Sequence, residues 1–376
     1  MWLLYLIALV PAIVGIILYI CSNKVTWMEW LGATAIAFLC SGLLHLIVVV
    51  GMCRDVETWS GQISRAVHYP EWIEEYTEVH SSTDSDGNTT TWTDTHHRTH
   101  DEEWQAETTI NDTHQISKEL FNEISGNFKD LTTEKPYKSG FDEGDPNIYV
   151  AYNKSRFVYP VTGLRSWQNR VKAAPSVFSY VKVPKEIPVY KYPLNSDWLR
   201  SERLLGNVPI NLLEFDRMNS RLGGYKKVNI IVVYFGNKDA SISKWQQAEW
   251  IGGKKNDLVI CYGGQKNNKA DWTFCFGWSE KELVKRNLET IFLNNKIDTS
   301  IIPIMELEIR KNYVIKDWHK LDYITIYPPT WGYTVLLVVM LITQFAFWYW
   351  ARVNEFDKVD KRIAKLPDKV RKAIGS

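Results

Sequence analysis

Residues 30–52 read WLGATAIAFLCSGLLHLIVVVGM, and residues 331–350 read WGYTVLLVVMLITQFAFWYW. Neither stretch contains Asp, Glu, Lys or Arg. An α-helix needs about 20 apolar residues to cross a bilayer core, and each stretch supplies them. Trp331 and Tyr333 mark one end of the second stretch, and Phe347, Trp348, Tyr349 and Trp350 mark the other. Amphipathic rings collect at both water–lipid interfaces in this way. The chain is therefore expected to be an integral membrane protein.

Working outward, residues 1–20 are also free of charge, with Pro11 near the middle. A basic leader and a small-residue cleavage site are missing, so this run predicts a membrane helix instead of a cleaved signal peptide. Helix 30–52 carries the small residues Gly32, Ala33, Ala35, Ala37, Ser41 and Gly42, which permit close helix packing. His45 is read as a neutral imidazole bonded to a neighbouring helix or facing the hairpin interior; a functional role is the alternative.

Three spans divide the charge unevenly. Residues 1–52 hold only Lys24 and Glu29, whereas the tail from Arg352 holds eight basic and four acidic residues. Positive flanks stay in the cytoplasm. The tail is thus expected inside, and the N-terminus and residues 53–330 outside, in the periplasm of a bacterial inner membrane. The net charge of +1 gives no reason to expect nucleic acid as a partner.

The outer region has two parts. Between Glu71 and Glu103 lie ten acidic residues and a single basic one, Arg98. Asp86-Gly87 between two β-prone runs signals a hairpin. Its histidines raise the question of a metal site, which needs three or four converging N, O or S ligands. In one register His80 faces Asp94 and Glu78 faces His96, and Glu74 and His100 join that face as a candidate zinc cluster. In the register one residue away, only His80 and His97 share the face. A three-residue bulged loop gives the first register and a two-residue turn the second. Residues 114–131 turn helical, with Ile116, Leu120, Phe121, Ile124 and Phe128 at helix spacing. Residues 132–208 are broken by prolines into short strands such as 148–152 and 179–183, which suits edge strands or a wrapping layer.

Residues 209–296 are more regular. The expected order is helix 210–222, buried strand 228–235, helix 241–251, strand 257–262, loop 263–270, strand 271–276 and a helix through 293. Ser241 is a plausible cap, and Ser279-Glu-Lys-Glu282 has the form of a capping box. Gly252-Gly253-Lys254-Lys255 leaves a helix instead of entering one, so it is not a phosphate loop. Asp257 and Asp271 stand at strand ends, the one position that suits carboxylate chemistry, although a structural role is the simpler expectation. Cys261 and Cys275 flank the loop symmetrically and are read either as a cross-strand disulfide or as two buried thiols.

The element order, together with Trp245-x-x-x-x-Trp250-x-Gly-Gly-Lys-Lys-Asn-Asp-Leu-Val-Ile260 and the pair Phe276-Gly277, resembles the TPM domain family. The resemblance covers less than a quarter of the chain. It implies a membrane-associated domain that assists other membrane complexes; some family members act as phosphatases, but no phosphatase residue carries over. The overall layout resembles uncharacterised membrane proteins of large tailed phages.

In the tail, Phe356, Val359, Ile363, Leu366, Val370 and Ile374 recur at helix spacing. Lys361, Arg362, Lys365, Lys369, Arg371 and Lys372 fill the other face, which suits anionic lipid or a docking partner. The expectation is an α+β membrane protein with three transmembrane helices and an outer domain holding a β-hairpin part (54–208) and a TPM-like core (209–296), joined to the last helix by a connector (297–330). Without a catalytic triad, a Cys/His pair or a nucleotide loop, a binding or regulatory role toward an envelope protein leads. A metal-dependent hydrolase and a self-assembling scaffold are the alternatives.

Overall fold

The computed structural model describes residues 27–135, 146–174, 178, 181–194, 197–264, 268–327 and 329–353, with 9–10, 12–14 and 16–17. These fall into two compact units. One lies within Met1–Asp55, Trp167–Ser176 and His319–Ser376, the other within Val56–Ser166 and Val177–Trp318. In chain order the elements begin with α1 (Trp27–Cys53), β1 (Arg54–Tyr69), β2 (Trp72–Thr83), β3 (Thr89–His100), β4 (Glu103–Thr108), β5 (Thr113–Gln115), α2 (Lys118–Phe128), β6 (Leu131–Glu134), β7 (Ile148–Tyr152), β8 (Pro160–Gln168) and α3 (Arg170–Ala173). They continue with β9 (Leu204–Leu205), α4 (Leu212–Lys226), β10 (Asn229–Tyr234), α5 (Ile242–Glu249), β11 (Asp257–Gly263), β12 (Trp272–Gly277), α6 (Leu283–Asn294), α7 (Ile302–Asn312) and α8 (Thr330–Val353).

In the first unit, α1 and α8 are long and apolar enough to cross a membrane. Little of either is buried within the chain: Leu39 is 72% exposed and Phe345 80%. They run antiparallel. The small-residue stripe Ala33, Ala37, Ser41 receives Leu336, Met340 and Gln344, all buried. Gln344 Nε2 donates to Ala33 O at 2.6 Å, and Ser41 Oγ to Met340 Sδ at 3.3 Å. His45 lines a crevice with Leu44, Val48, Trp331 and Val335. Its Nδ1 has no hydrogen-bond partner among the described residues. The described residues of the first apolar run are helical, and Ala12 O accepts from Trp30 Nε1 at 2.9 Å. The rest of that run, and the basic tail, lie outside the described residues.

The second unit holds two sheets and a separate ribbon. The four-stranded sheet has the order β12-β11-β10-β9, with β10 parallel to β11 and β12 antiparallel. The continuous apolar runs of β10 and β11 are buried on both faces, as a strand covered on two sides requires. One face packs Ile230, Val232, Leu258 and Ile260 against α4, α6 and α7. The other packs Ile231, Val233 and Val259 against α5 and the extended segment carrying Ile187, Val189 and Tyr192. The expected helix–β–α–β–β–α order is present at 212–294. The supposed connector after it is not a linker: Ile302, Met305 and Ile309 of α7 complete the core. Ser241 stands at the N-cap of α5 but makes no side-chain cap bond. The expected capping box does not form: Glu282 is the N-cap of α6 and makes no side-chain cap bond, while Ser279 Oγ donates to Val314 O at 3.1 Å and accepts from Lys281 N at 3.2 Å.

The six-stranded sheet runs β5-β4-β1-β7-β6, with β8 also on β1. Its core joins Ile63, Ala66, Ala106, Ala151 and Val161 to Phe121, Ile124 and Phe128 of α2. β7 is an inner strand here, because the prolines flank it and leave its ladder intact. Residues 181–183 are not a strand, and 179–180 lie outside the described residues. β1 contacts the α/β core closely: a Cβ on Gly223 of α4 would collide with the Ser60 backbone. Gly223→Ala should therefore cost about 1–3 kcal/mol by overpacking. Gly224→Ala, with nothing within 4 Å of its added carbon, should stabilise the helix by about 0.5–1 kcal/mol. Denaturant midpoints of the two variants should move in opposite directions.

Candidate functional site

The ribbon β2–β3 pairs with no other strand among the described residues. From Glu75 to Thr99 its residues are exposed, apart from the half-buried His80. Asp84 and Asn88 close a three-residue loop: Asp84 N donates to Asn88 O at 3.0 Å, and Asn88 N to Asp84 Oδ1 at 2.8 Å. Gly87, at φ +85°, takes the left-handed position that glycine fills at no steric cost. The loop thus has the three-residue length of the first expected register, but it is centred on Asp86. Moving the centre by one residue moves the register by two.

Glu78 consequently faces Asp94, His80 faces Trp92, Tyr76 faces His96, Glu74 faces Arg98 and Trp72 faces His100. A two-residue shift preserves the side-chain face, so Glu74, Glu78, His80, Asp94, His96 and His100 do share one. His97 is on the other face, opposite Glu75. The specific pairings His80–Asp94 and Glu78–His96 become diagonal contacts, at 3.4 Å and 3.8 Å. Glu78 also approaches His80 at 3.8 Å. His100 is engaged elsewhere, 2.8 Å from Glu74. Among the described residues, no group of three or more His, Cys, Asp or Glu is assembled to hold a metal ion.

The sequence reading missed the aromatic half of this face. Each cross-strand histidine stacks on the ring opposite it: Trp72–His100 at 4.4 Å, Tyr76–His96 at 5.4 Å and His80–Trp92 at 5.5 Å between centroids. At the base of the arm, His68 stacks between Trp104 and Tyr149 and lies 2.7 Å from Glu102. Plates and charged pairs alternate along the ribbon. The available signal was the four-residue spacing of Trp72, Tyr76 and His80, which is legible only once the strands are in register.

The carboxylates of the α/β core do not form a site together. Asp257 opens β11, whereas Asp271 precedes the antiparallel β12 and adjoins Gly263 and Gly264 at the opposite sheet end. Asp257 is fully buried and accepts from Asn229 Nδ2 at 2.8 Å, Lys254 N at 2.7 Å and Tyr192 OH at 3.0 Å. Burial pushes its carboxyl up to about 6, against the pull of those donors. The same burial raises the Tyr192 phenol.

The network continues through Asn229 Oδ1 to Arg203 Nε at 2.9 Å. From there the guanidinium reaches Asp216 Oδ1 at 3.2 Å and Ser60 Oγ at 2.8 Å. Arg203 is 2% exposed. Burial pulls its guanidinium down and pushes the Asp216 carboxyl up, each toward the neutral form. A closed array of this kind ties separate elements together.

Of the two readings of the cysteine pair, the structure has the buried thiols. Cys261 faces Phe274, and Ile260 faces Cys275. This register is one residue from the symmetric one, so the two thiols point to opposite faces. Cys275 lies in the core under α4, α6 and α7, and Cys261 in the core under α5. They are buried free thiols, raised by desolvation, and no disulfide joins them. Lys361, Arg362, Lys365, Lys369, Arg371 and Lys372 lie outside the described residues. No protein-family model matches the chain, and neither a curated protein nor a solved structure matches it significantly.

Proposed function

We propose that this chain is a non-enzymatic, membrane-anchored binding protein whose outer unit engages another membrane or envelope component through the β2–β3 arm. One observation carries the reading: twelve-residue strands form a ribbon that pairs with no other strand among the described residues and is exposed from Glu75 to Thr99 apart from the half-buried His80. A lone two-stranded hairpin is marginally stable in water, and an arm of this length exposed on both faces is suited to a partner.

In the proposed topology α1, α8 and the first apolar run span a bacterial inner membrane, the basic tail is cytoplasmic and touches anionic lipid, and residues 53–330 are periplasmic. The antiparallel packing of α1 on α8 supports this, since it brings Cys53 and Thr330 to one side. The helix–β–α–β–β–α order supports a TPM-like assisting role, in a host cell or in a phage that remodels its host's envelope. Self-assembly through the small-residue stripe is less favoured, because α8 of the same chain already covers Ala33, Ala37 and Ser41.

A photocrosslinker at Val79, which is 69% exposed on the arm, tests the reading against one at Tyr225, equally exposed on α4. The expected result, in the native membrane, is a discrete adduct from Val79 and none from Tyr225. The same faint pattern from both positions would reject it. The hydrolase alternative, resting on the 3.4–3.8 Å His–carboxylate contacts, requires a near-stoichiometric metal. Elemental analysis would have to find that metal in the detergent-purified protein and not in a His80→Ala, His96→Ala, His100→Ala variant.

A further inference from the structure

The two faces of the arm differ in chemistry. One carries Thr77, Val79, Thr93 and Thr95 with little charge at its centre. The other places Glu78 directly opposite Asp94, both more than half exposed. Like charges directly opposed on a ribbon destabilise it, and among the described residues these carboxylates lie against His80 and His96, at 3.4–3.8 Å. Strands rise about 3.4 Å per residue, so the Tyr76–His96 and His80–Trp92 plates stand about 7 Å to either side. Tyr76 is 39% exposed and Trp92 47%.

From this arrangement we infer that the Glu78/Asp94 face of the arm docks an arginine-bearing segment of a partner protein, with one guanidinium seated on the opposed carboxylates between the Tyr76 and Trp92 plates. This deepens the arm-binding reading and rests on it. A guanidinium pairs with carboxylates through a planar fork, in bidentate fashion, and stacks on aromatic faces. An ammonium does the first as a point charge only. Ten acidic residues against one basic residue between Glu71 and Glu103 disfavour a second copy of the arm, an anionic lipid surface or a nucleic acid as occupant. Cation binding also relieves the repulsion the arm carries at its centre, so affinity is gained at the one place where the isolated ribbon is weakest.

The test is binding of a labelled hexa-arginine peptide to the full-length protein in detergent near physiological salt, read by fluorescence anisotropy. Glu78→Gln with Asp94→Asn should weaken binding at least about tenfold, the scale of a charge-assisted bidentate contact. Glu75→Gln with Asp86→Asn removes the same charge away from this pair and should change binding less than about twofold, the size of a screened long-range effect. Trp92→Ala should reduce the preference for hexa-arginine over hexa-lysine. Glu78→Gln with Asp94→Asn removes a repulsion, so it leaves the hairpin folded. Equal losses in the two charge-matched variants would reduce the effect to net charge and overturn the proposal. So would a hexa-lysine affinity matching that for hexa-arginine. If Val79 still yields its crosslink while the Glu78/Asp94 variant binds normally, the arm is a docking element but this face is not the one used.

Discussion

Replacing Arg203 by methionine is expected to destabilise the outer unit by about 3–5 kcal/mol, the cost of breaking a buried ion pair by removing one partner. The substitution strands Asp216 inside, held only by Ser201 and already pushed toward its neutral form by burial. It also frees Asn229 Oδ1 and Ser60 Oγ, which accept from the guanidinium in the native network. The pair itself is not the source of stability, because desolvation dominates on both partners. Arg203→Met with Asp216→Leu should accordingly recover at least about half of the loss, since a packed apolar pair is often as good as a buried ionic one. Denaturant unfolding of the full chain in detergent, followed by tryptophan fluorescence, measures both variants. A single-variant loss below about 1 kcal/mol, or a double variant worse than the single, would mean that the network does not hold β1 and the α/β core together as described.

The second large effect is a pH dependence centred on Asp257. Its carboxyl lies at about 6 in the folded protein and near 3.9 in an unfolded chain. The folded state therefore binds the proton more tightly. Its contribution to stability is fully present below about pH 4 and is lost as pH rises toward and through 6. Two units of separation correspond to at most about 3 kcal/mol. Asp257→Asn should remove this descending limb, so the wild-type curve minus the variant curve should fall between pH 4 and 6 and flatten above. At neutral pH the variant has its own defect. Three donors converge on the native carboxylate, and an amide turns an NH2 group toward one of them. A difference curve flat from pH 4 to 7 would place the Asp257 carboxyl near its ordinary value and contradict its burial as the dominant cause.

The sequence alone determined whatever depends on local periodicity and on runs of one chemical character. The helices at 27–53 and 330–353 are legible because a bilayer-length apolar run has few other uses. β10 and β11 are legible because only a strand covered on both faces is apolar at every position. The arm was legible as a hairpin through Asp86-Gly87, and its face was recovered because parity survives a two-residue slip.

Only the tertiary structure decided the rest. β1 escaped the reading because its buried Asp55, Glu57 and Ser60 are paired with residues distant in sequence, which erases the apolar alternation. α7 read as a connector because its contribution to the core is visible only where it packs against α4 and α6. Arg203 carried no signal at all: a buried guanidinium is tolerated only when Ser60, Asp216 and Asn229 converge on it, and they come from three separate elements. The cysteines show the limit most plainly. Symmetry about the loop suggested a disulfide, but a one-residue register shift, set by the packing of both sheet faces, sends the two thiols into different cores.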